Sequence, residues 1–261
     1  MIVTTAGRTD EEMIRFAKSV ANDLHIPYVA RAKTSVKTLQ KKEKSDLLVV
    51  GKERMELHIQ EAEEPFFFHP NSAMFRAKRL LKGEQDPFIQ AAKLTTGMSV
   101  LDCTLGLASD SIIASLAVGE RGLVKGLEGN RFMAYLLKQG LKTWKSGIRE
   151  IDEAMNRISV VHQTFETYLH CCEDNSFDIV YFDPMFEANL ADSNGIQGLK
   201  QLALYTPLTE QVMTQAKRVA RERVVLKDHY KSTRFHEHQF HVYKRKTAAF
   251  HYGVIEIKEG R

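Results

Sequence analysis

The sequence predicts an α/β fold: a doubly wound, mostly parallel, seven-stranded Rossmann-like sheet with a C-terminal antiparallel hairpin, plus a small N-terminal α/β domain. Three observations predict it. From Gly97 onward, short apolar runs alternate with amphipathic helical stretches, the pattern of a parallel sheet wrapped by helices. The first of these runs, Val100-Leu101-Asp102, ends in a carboxylate and is followed by Gly106 and a helical stretch. Near the C-terminus, segments 239–243 and 249–257 lie too close together for a helix between them, so they read as antiparallel strands closing one edge.

Taken in order, residues 2–5 read as a strand and Thr9 as the cap of a helix, with Glu12 three residues on as in a capping box. Further strands are expected at 27–29, 47–50, 53–59 and 65–69, and a helix from Ser35 into the basic cluster ending at Lys44. Residues 1–70 form the small domain. A helical bridge over 71–96 follows, whose basic residues Arg76, Lys78 and Arg79 suit either a solvated face or a phosphate backbone. The larger α/β domain is expected over 97–261. Its strands are expected at 99–103, 122–128, 158–162, 177–183 and 223–227, and its helices at 109–118, 132–144, 165–172 and 208–220.

Composition narrows the class. At 261 residues, 43% hydrophobic and 27% charged, the chain has the make-up of a globular protein with a sizeable core. Its net charge is +4, which points weakly to an acidic partner. No apolar run reaches the ~18 residues of a membrane span, and residues 1–15 do not have the form of a secretory signal. Three cysteines, two of them adjacent, make neither a disulfide framework nor a zinc quartet, so a reducing, cytoplasmic setting is expected.

The chemistry is expected at the carboxyl ends of the parallel strands. Asp102 and Gly106 mark a tight strand-to-helix turn, and glycine lets a ligand approach the backbone closely. Glu128 ends the next strand about 20 residues later, where a carboxylate can accept both hydroxyls of a ribose. A dinucleotide site needs three spaced glycines for its pyrophosphate. This turn has Gly106 alone at its tip, which disfavours a nicotinamide dehydrogenase and favours a nucleoside without phosphates, such as S-adenosylmethionine, its amino-acid end reaching the turn and Asp110. The sharpest signal is Asp183-Pro184-Met185-Phe186. Asp183 and the Pro184 carbonyl can accept hydrogen bonds from an NH2 group, aiming its lone pair at an electrophile, while Phe186 stacks on the ring that bears the amine.

From Gly97 onward the chain resembles class I S-adenosylmethionine-dependent methyltransferases. Asp183-Pro184-Met185-Phe186 is similar to the (Asp/Asn)-Pro-Pro-(Tyr/Phe) signature of enzymes that methylate exocyclic amines. Together with Thr104–Asp110, Leu127-Glu128 and Val161-His162, it resembles the small-subunit ribosomal RNA guanine-N2 methyltransferase family, whose members also carry a small N-terminal α/β domain. The resemblance implies that S-adenosylmethionine is held by Ser109 and Asp110, Glu128 and Gly129, Thr164 and Phe165, and Asp183. The chain has Ala108-Ser109-Asp110 where that family commonly has Gly-Arg-Asp, and an acidic segment at 187–192 where the family carries a Lys. That segment keeps open an amine of DNA, a protein or a small metabolite.

Residues 216–246 carry ten Lys or Arg against three Asp or Glu, a net +7, interleaved with Tyr230, Phe235 and Tyr243. Basic and aromatic residues in alternation suit phosphate contact and base stacking. His229, His236, His238 and His241 in the same stretch lack the spacing of a known zinc class, so no metal is expected. The expected activity is therefore N-methylation of an exocyclic base amine of RNA. A non-catalytic RNA-binding protein on the same scaffold is the alternative of another class.

Overall fold

In the computed structural model, which describes residues 1–60, 62–184, 206–246 and 248–257, the chain divides into two compact units, one formed by Met1–His69 and the other beginning at Pro70. In the first, β1 (Ile2–Thr5), helices α1 (Glu11–Asp23) and α2 (Val36–Glu43), β2 (Leu47–Val50) and β3 (Met55–His58) follow in order. Strands β1 and β2 are parallel and β3 returns antiparallel to β2. Every residue of β1 and β2 is buried, Thr4 and Thr5 included, so neither strand shows a hydrophobic alternation.

The second unit starts with α3 (Asn71–Leu81) and α4 (Pro87–Ala92), so the helices expected as a bridge belong to it. Then come β4 (Ser99–Asp102), α5 (Ser109–Val118), β5 (Leu123–Glu128), α6 (Arg131–Thr143), α7 (Arg149–Arg157), β6 (Ser159–His162), α8 (Phe165–Cys171) and β7 (Phe177–Phe182). After 185–205, the described chain continues through α9 (Glu210–Val219), β8 (Ala220–His229), α10 (Arg234–Glu237), β9 (His241–Tyr243) and β10 (Phe250–Glu256). The seven strands lie in the order β6-β5-β4-β7-β8-β10-β9. The first five are parallel, and β10 runs antiparallel to both β8 and β9. The expected seven-stranded sheet with its antiparallel closure is present.

Chain order reverses at β4, which has β5 on one side and β7 on the other. A crevice opens at such a switch point, because the loops leaving neighbouring strands turn to opposite faces of the sheet. Alternation along β7 supplies both layers of the core. Val180 and Phe182 join Phe165, Leu169, Val212 and Met213 on one face, whereas Tyr181 on the other lies 4.4 Å, centroid to centroid, from Phe88 of α4.

Several local expectations are corrected. The cap of α1 is Asp10, not Thr9. Its carboxylate accepts the Met13 N–H at 2.8 Å, and an anion at a helix N-terminus is stabilised further by the dipole. The strands expected at 27–29 and 65–69 shrink to single bridging residues, Tyr28 beside Val3 and Phe66 beside Leu57; Pro27 and Pro65 each remove a backbone donor there. The strand expected over 53–59 is confined to Met55–His58. Helix α7 has no counterpart among the expected elements, although Ile151, Ala154 and Met155 are buried at helical spacing. Its charged majority hid that stripe. Among the described residues, no helix is long and apolar enough to cross a membrane.

One packing detail ties the sheet to the turn after β4. A Cβ on Gly126 of β5 would lie 2.3 Å from Cδ1 of Leu105, so the close fit of that turn over the strand requires a glycine. Gly126→Ala is expected to lower the urea-unfolding midpoint by the ~1–3 kcal/mol of an overpacked core. An unchanged midpoint would show that Leu105 swings aside freely.

Candidate active site

The turn after β4 is built by Asp102. One carboxylate oxygen accepts the Thr104 N–H at 3.0 Å and the other accepts the Ser111 hydroxyl at 2.7 Å. Burial pushes its carboxyl up to about 7. Asp102 thus clamps the turn to the first turn of α5. Gly106 and Ala108 adopt left-handed backbone, with φ of 48° and 59°, a conformation that costs a residue with a Cβ ~1–2 kcal/mol. Ala108 also supplies no side-chain cap to α5, so the N–H groups that open this helix are presented at the turn. Ser109 is half-buried, its hydroxyl 2.8 Å from that of Ser72.

Glu128 sits at the end of β5, two residues beyond the level of Asp102, since Asp102 pairs with Gly126. It is 9% exposed. Its carboxylate accepts the N–H groups of Asn130, at 2.8 Å, and of Gly129. Burial outweighs these bonds and pushes its carboxyl up to about 7. The neighbouring strand end is pinned alongside: Gln163 N–H donates to the Glu128 carbonyl at 3.1 Å, and His162 Nε2 lies 3.2 Å from the Gly129 carbonyl. Thr164 precedes α8, its hydroxyl 3.1 Å from that of Thr167. The Phe165 ring packs edge-on to Phe182 at 5.6 Å, so its side chain is core.

The residues with the most perturbed charge are those that link β7, β8, α3 and α5. Lys227 of β8 places Nζ 2.5 Å from Asp183 Oδ2 and 3.0 Å from Asp110 Oδ2. Asp110 also accepts from Tyr181 Oη at 2.9 Å and Arg76 Nη1 at 2.5 Å. Arg76 in turn forks onto Asp86 with two bonds of 2.8 Å. Burial works to raise the Asp110 carboxyl, but Lys227 and Arg76 hold it well below the usual carboxylate range. Burial pushes the Asp183 carboxyl up to about 6, against the pull of Lys227. Burial would also lower the Lys227 ammonium; Asp110 and Asp183 hold it above its ordinary value. Three carboxylates face two cations, leaving the cluster with a net negative charge that suits a cationic ligand.

Thr104 joins this cluster to the cofactor turn. Its hydroxyl oxygen accepts the Asp183 N–H at 2.6 Å, which ties the end of β7 to the turn after β4. The structure therefore brings together Asp102, Thr104, Asp110, Asp183 and Lys227 at the switch point, with Glu128 and Gly129 one strand away. Pro184 follows Asp183 directly; Phe186 and the segment 187–192 lie outside the described residues. Sequence reasoning missed Thr104, Tyr181 and Lys227, and it left Arg76 between a solvated face and a phosphate contact. Lys227 left one signal, a lone cation at the end of the apolar run Val224-Val225-Leu226. Cys103 is buried beside the turn and burial pushes its thiol up, which makes it packing and not a nucleophile. Of the four histidines of the basic stretch, His238 is buried and His236 and His241 are exposed.

Comparison with known proteins places the sequence and the fold. The family model of SAM-dependent methyltransferases matches residues 31–252. The uncharacterized protein YpiP of Bacillus subtilis (strain 168) is 50% identical over 255 residues, covering 98% of this chain and 99% of that one. Ribosomal RNA small subunit methyltransferase J of Legionella pneumophila (strain Lens) is 31% identical over 184 residues, 70% of this chain and 67% of its own. Among solved structures, the SAM-dependent methyltransferase NGO1261 from Neisseria gonorrhoeae superposes with a TM-score of 0.63 at 17% identity, over 100% of this chain and 98% of that one, and so shares the fold.

The charge cluster makes its own prediction. Lys227→Met leaves Asp110 and Asp183 facing each other without their shared cation, and is expected to cost on the order of 3–5 kcal/mol of stability. Lys227→Arg, which keeps the charge, is expected to cost much less. Equal unfolding midpoints for the two variants would show that the ion pairs do not support the fold.

Proposed function

The chain belongs to the S-adenosylmethionine-dependent methyltransferase family, and from that membership we propose that it methylates an exocyclic base amine, guanine N2, of ribosomal RNA. The observation that carries this reading is the Asp183 carboxylate at the end of β7, held by Thr104 on its backbone and by Lys227 on Oδ2. The curated relative named as a ribosomal RNA small subunit methyltransferase supports the substrate.

The residues fit the cofactor. Glu128 is a buried carboxylate that accepts backbone N–H groups of its own turn, at a strand end where a carboxylate can accept ribose hydroxyls. The turn at Gly106–Ser109 leads into the uncapped start of α5, where helix N–H groups suit a carboxylate, and the net negative cluster beyond it favours a sulfonium and an ammonium. Gly129, Thr164 and Phe165 would border the nucleoside from the neighbouring strand ends. When bound, S-adenosylmethionine supplies an electrophilic methyl group on a leaving group that needs no activation.

The chain's own tasks are then alignment and charge. Lys227 holds one oxygen of Asp183, so the carboxylate presents a fixed direction to the amine. Asp183 and the Pro184 carbonyl accept the two N–H bonds of the substrate amine and turn its lone pair toward the methyl group. Positive charge develops on that nitrogen during transfer, and Asp183 in its net negative surroundings stabilises it. The surplus proton leaves to solvent afterwards, so no strong base is required. Phe186 is the residue the motif assigns to stacking the base, which must leave any helix in which it is paired.

Asp183→Ala is expected to reduce methyl incorporation from labelled S-adenosylmethionine at least ~10²-fold while calorimetry still detects cofactor binding; unchanged turnover would remove the mechanism. The substrate itself is tested by mapping modified nucleosides in ribosomal RNA from cells with and without the protein. Loss of one N2-methylguanosine, restored by adding protein and cofactor, is the expected result. A second consequence concerns pH. Ribose hydroxyls donate to the ionised form of Glu128, whose carboxyl titrates at about 7. Cofactor affinity should therefore rise up to about tenfold between pH 6 and pH 8, and Glu128→Gln should bind weakly with no such slope. A slope that survives in Glu128→Gln would assign it to another group.

A further inference from the structure

A ledge of basic and aromatic side chains runs outward from the Lys227–Asp183 pair. It is built by the carboxyl end of β8 and the amino end of β10, which pair so that Phe250 lies opposite His229 and Tyr252 opposite Lys227. Phe250 receives two cations at its ring, Lys227 Nζ at 4.9 Å and Arg245 at 4.6 Å from the centroid. Beyond it the Tyr230 ring lies 4.5 Å from His229 and 6.2 Å from His251, with Lys231 Nζ at 5.5 Å. Backbone bonds hold this ledge in place. Tyr230 N–H donates to the Ala249 carbonyl at 3.1 Å, and Arg245 N–H donates to His251 Nδ1 at 3.2 Å. Tyr230 is nevertheless 49% exposed, a large ring that the fold positions and does not bury.

We propose that this ledge receives single-stranded RNA beside the nucleotide whose amine reaches Asp183. Tyr230 stacks on a neighbouring base, and Arg245 and Lys231 hold the flanking phosphates. The proposal rests on the reading that the target amine belongs to RNA. Three features argue for that occupant. The ledge is continuous with the reacting end, because the same Lys227 touches both Asp183 and Phe250. Its charge is complementary: segment 227–251 carries six Lys or Arg against Asp228 and Glu237; Lys227 serves Asp110 and Asp183 and Arg234 serves Asp228, which leaves Lys231, Lys244, Arg245 and Lys246 against Glu237. Finally, an exposed ring flanked by cations suits a base and its phosphates, since every base has a face to stack and every phosphate a charge to neutralise. An acidic protein segment would use the cations and leave the ring idle.

The test measures binding of a short fluorescein-labelled single-stranded oligoribonucleotide to the full chain by anisotropy. Tyr230→Ala is expected to weaken binding about tenfold, the size of a lost base stack, and Tyr230→Phe to restore it. Arg245→Ala and Lys231→Ala are each expected to weaken binding and to reduce the salt slope by about 0.7, one phosphate contact on a single strand. Cofactor affinity by calorimetry should stay at the wild-type value in Tyr230→Ala and Lys231→Ala, which separates a lost contact from a damaged fold. Wild-type affinity for the oligoribonucleotide in Tyr230→Ala overturns the proposal. So does a polyglutamate peptide that binds in its place with the same sensitivity to the three variants. Asp183→Asn separates this proposal from the activity. If the wild-type protein methylates RNA and the ledge variants bind it normally, the ledge falls and the activity stands. If the ledge variants lose binding but the wild-type protein methylates no RNA, the activity falls and the ledge stands. A wild-type protein that binds no RNA overturns both.

Discussion

The site depends on where one ammonium is placed. Lys227 lies at the end of β8 with its Nζ between Asp110 and Asp183. An ammonium in so closed an environment is stable only while its carboxylates stay with it. That requirement fixes three elements relative to one another: β8 through the lysine, α5 through Asp110, and β7 through Asp183. Arg76 adds a fourth, since it holds both Asp110 and Asp86 and so ties α3 to the same point. The switch-point crevice is thus bordered by elements held together by charge, and the held carboxylate of Asp183 is the one proposed to orient the amine.

The same cluster divides labour among carboxylates that look alike in the sequence. Asp102 serves the turn, because both of its oxygens are taken by Thr104 and Ser111. Asp110 serves the cluster, because Arg76, Tyr181 and Lys227 converge on it. Glu128 accepts only backbone N–H groups of its own turn among its described hydrogen bonds, and Asp183 shares one oxygen with Lys227. Thr104 couples these roles: its own N–H binds Asp102 and its hydroxyl accepts from the backbone of Asp183. The turn after β4 and the start of the loop after β7, to which the proposed function gives cofactor and amine, are therefore tied to each other. Such coupling suits a displacement whose rate depends on alignment more than on acid–base chemistry.

Much of this was legible in the residues. The strand ends carrying Asp102, Glu128 and Asp183 are read from apolar runs that stop at a carboxylate, and the parallel order follows from the alternation of strand and helix. Local competition was harder to read. Thr9 and Asp10 are both good caps, and the carboxylate wins by a bond and a charge. Helix α7 shows only three buried residues among charges, so its stripe is narrow. Arg76 read as either a solvated or a phosphate-contacting charge because Lys78 and Arg79 are its neighbours; its partner Asp110 lies 34 residues away.

By itself the sequence determined the doubly wound fold, the antiparallel closure and the strand-end positions of the acidic residues. These follow from hydrophobic period and from glycine and proline, which act over a few residues. Only the tertiary structure decided which carboxylate binds which cation. Lys227 meets Asp110 across 117 positions of chain and Asp183 across 44, and Asp183 meets Thr104 across 79. Charge and desolvation act through space, so the ionisation of Asp183 and the direction it points are set by neighbours that no local pattern brings together.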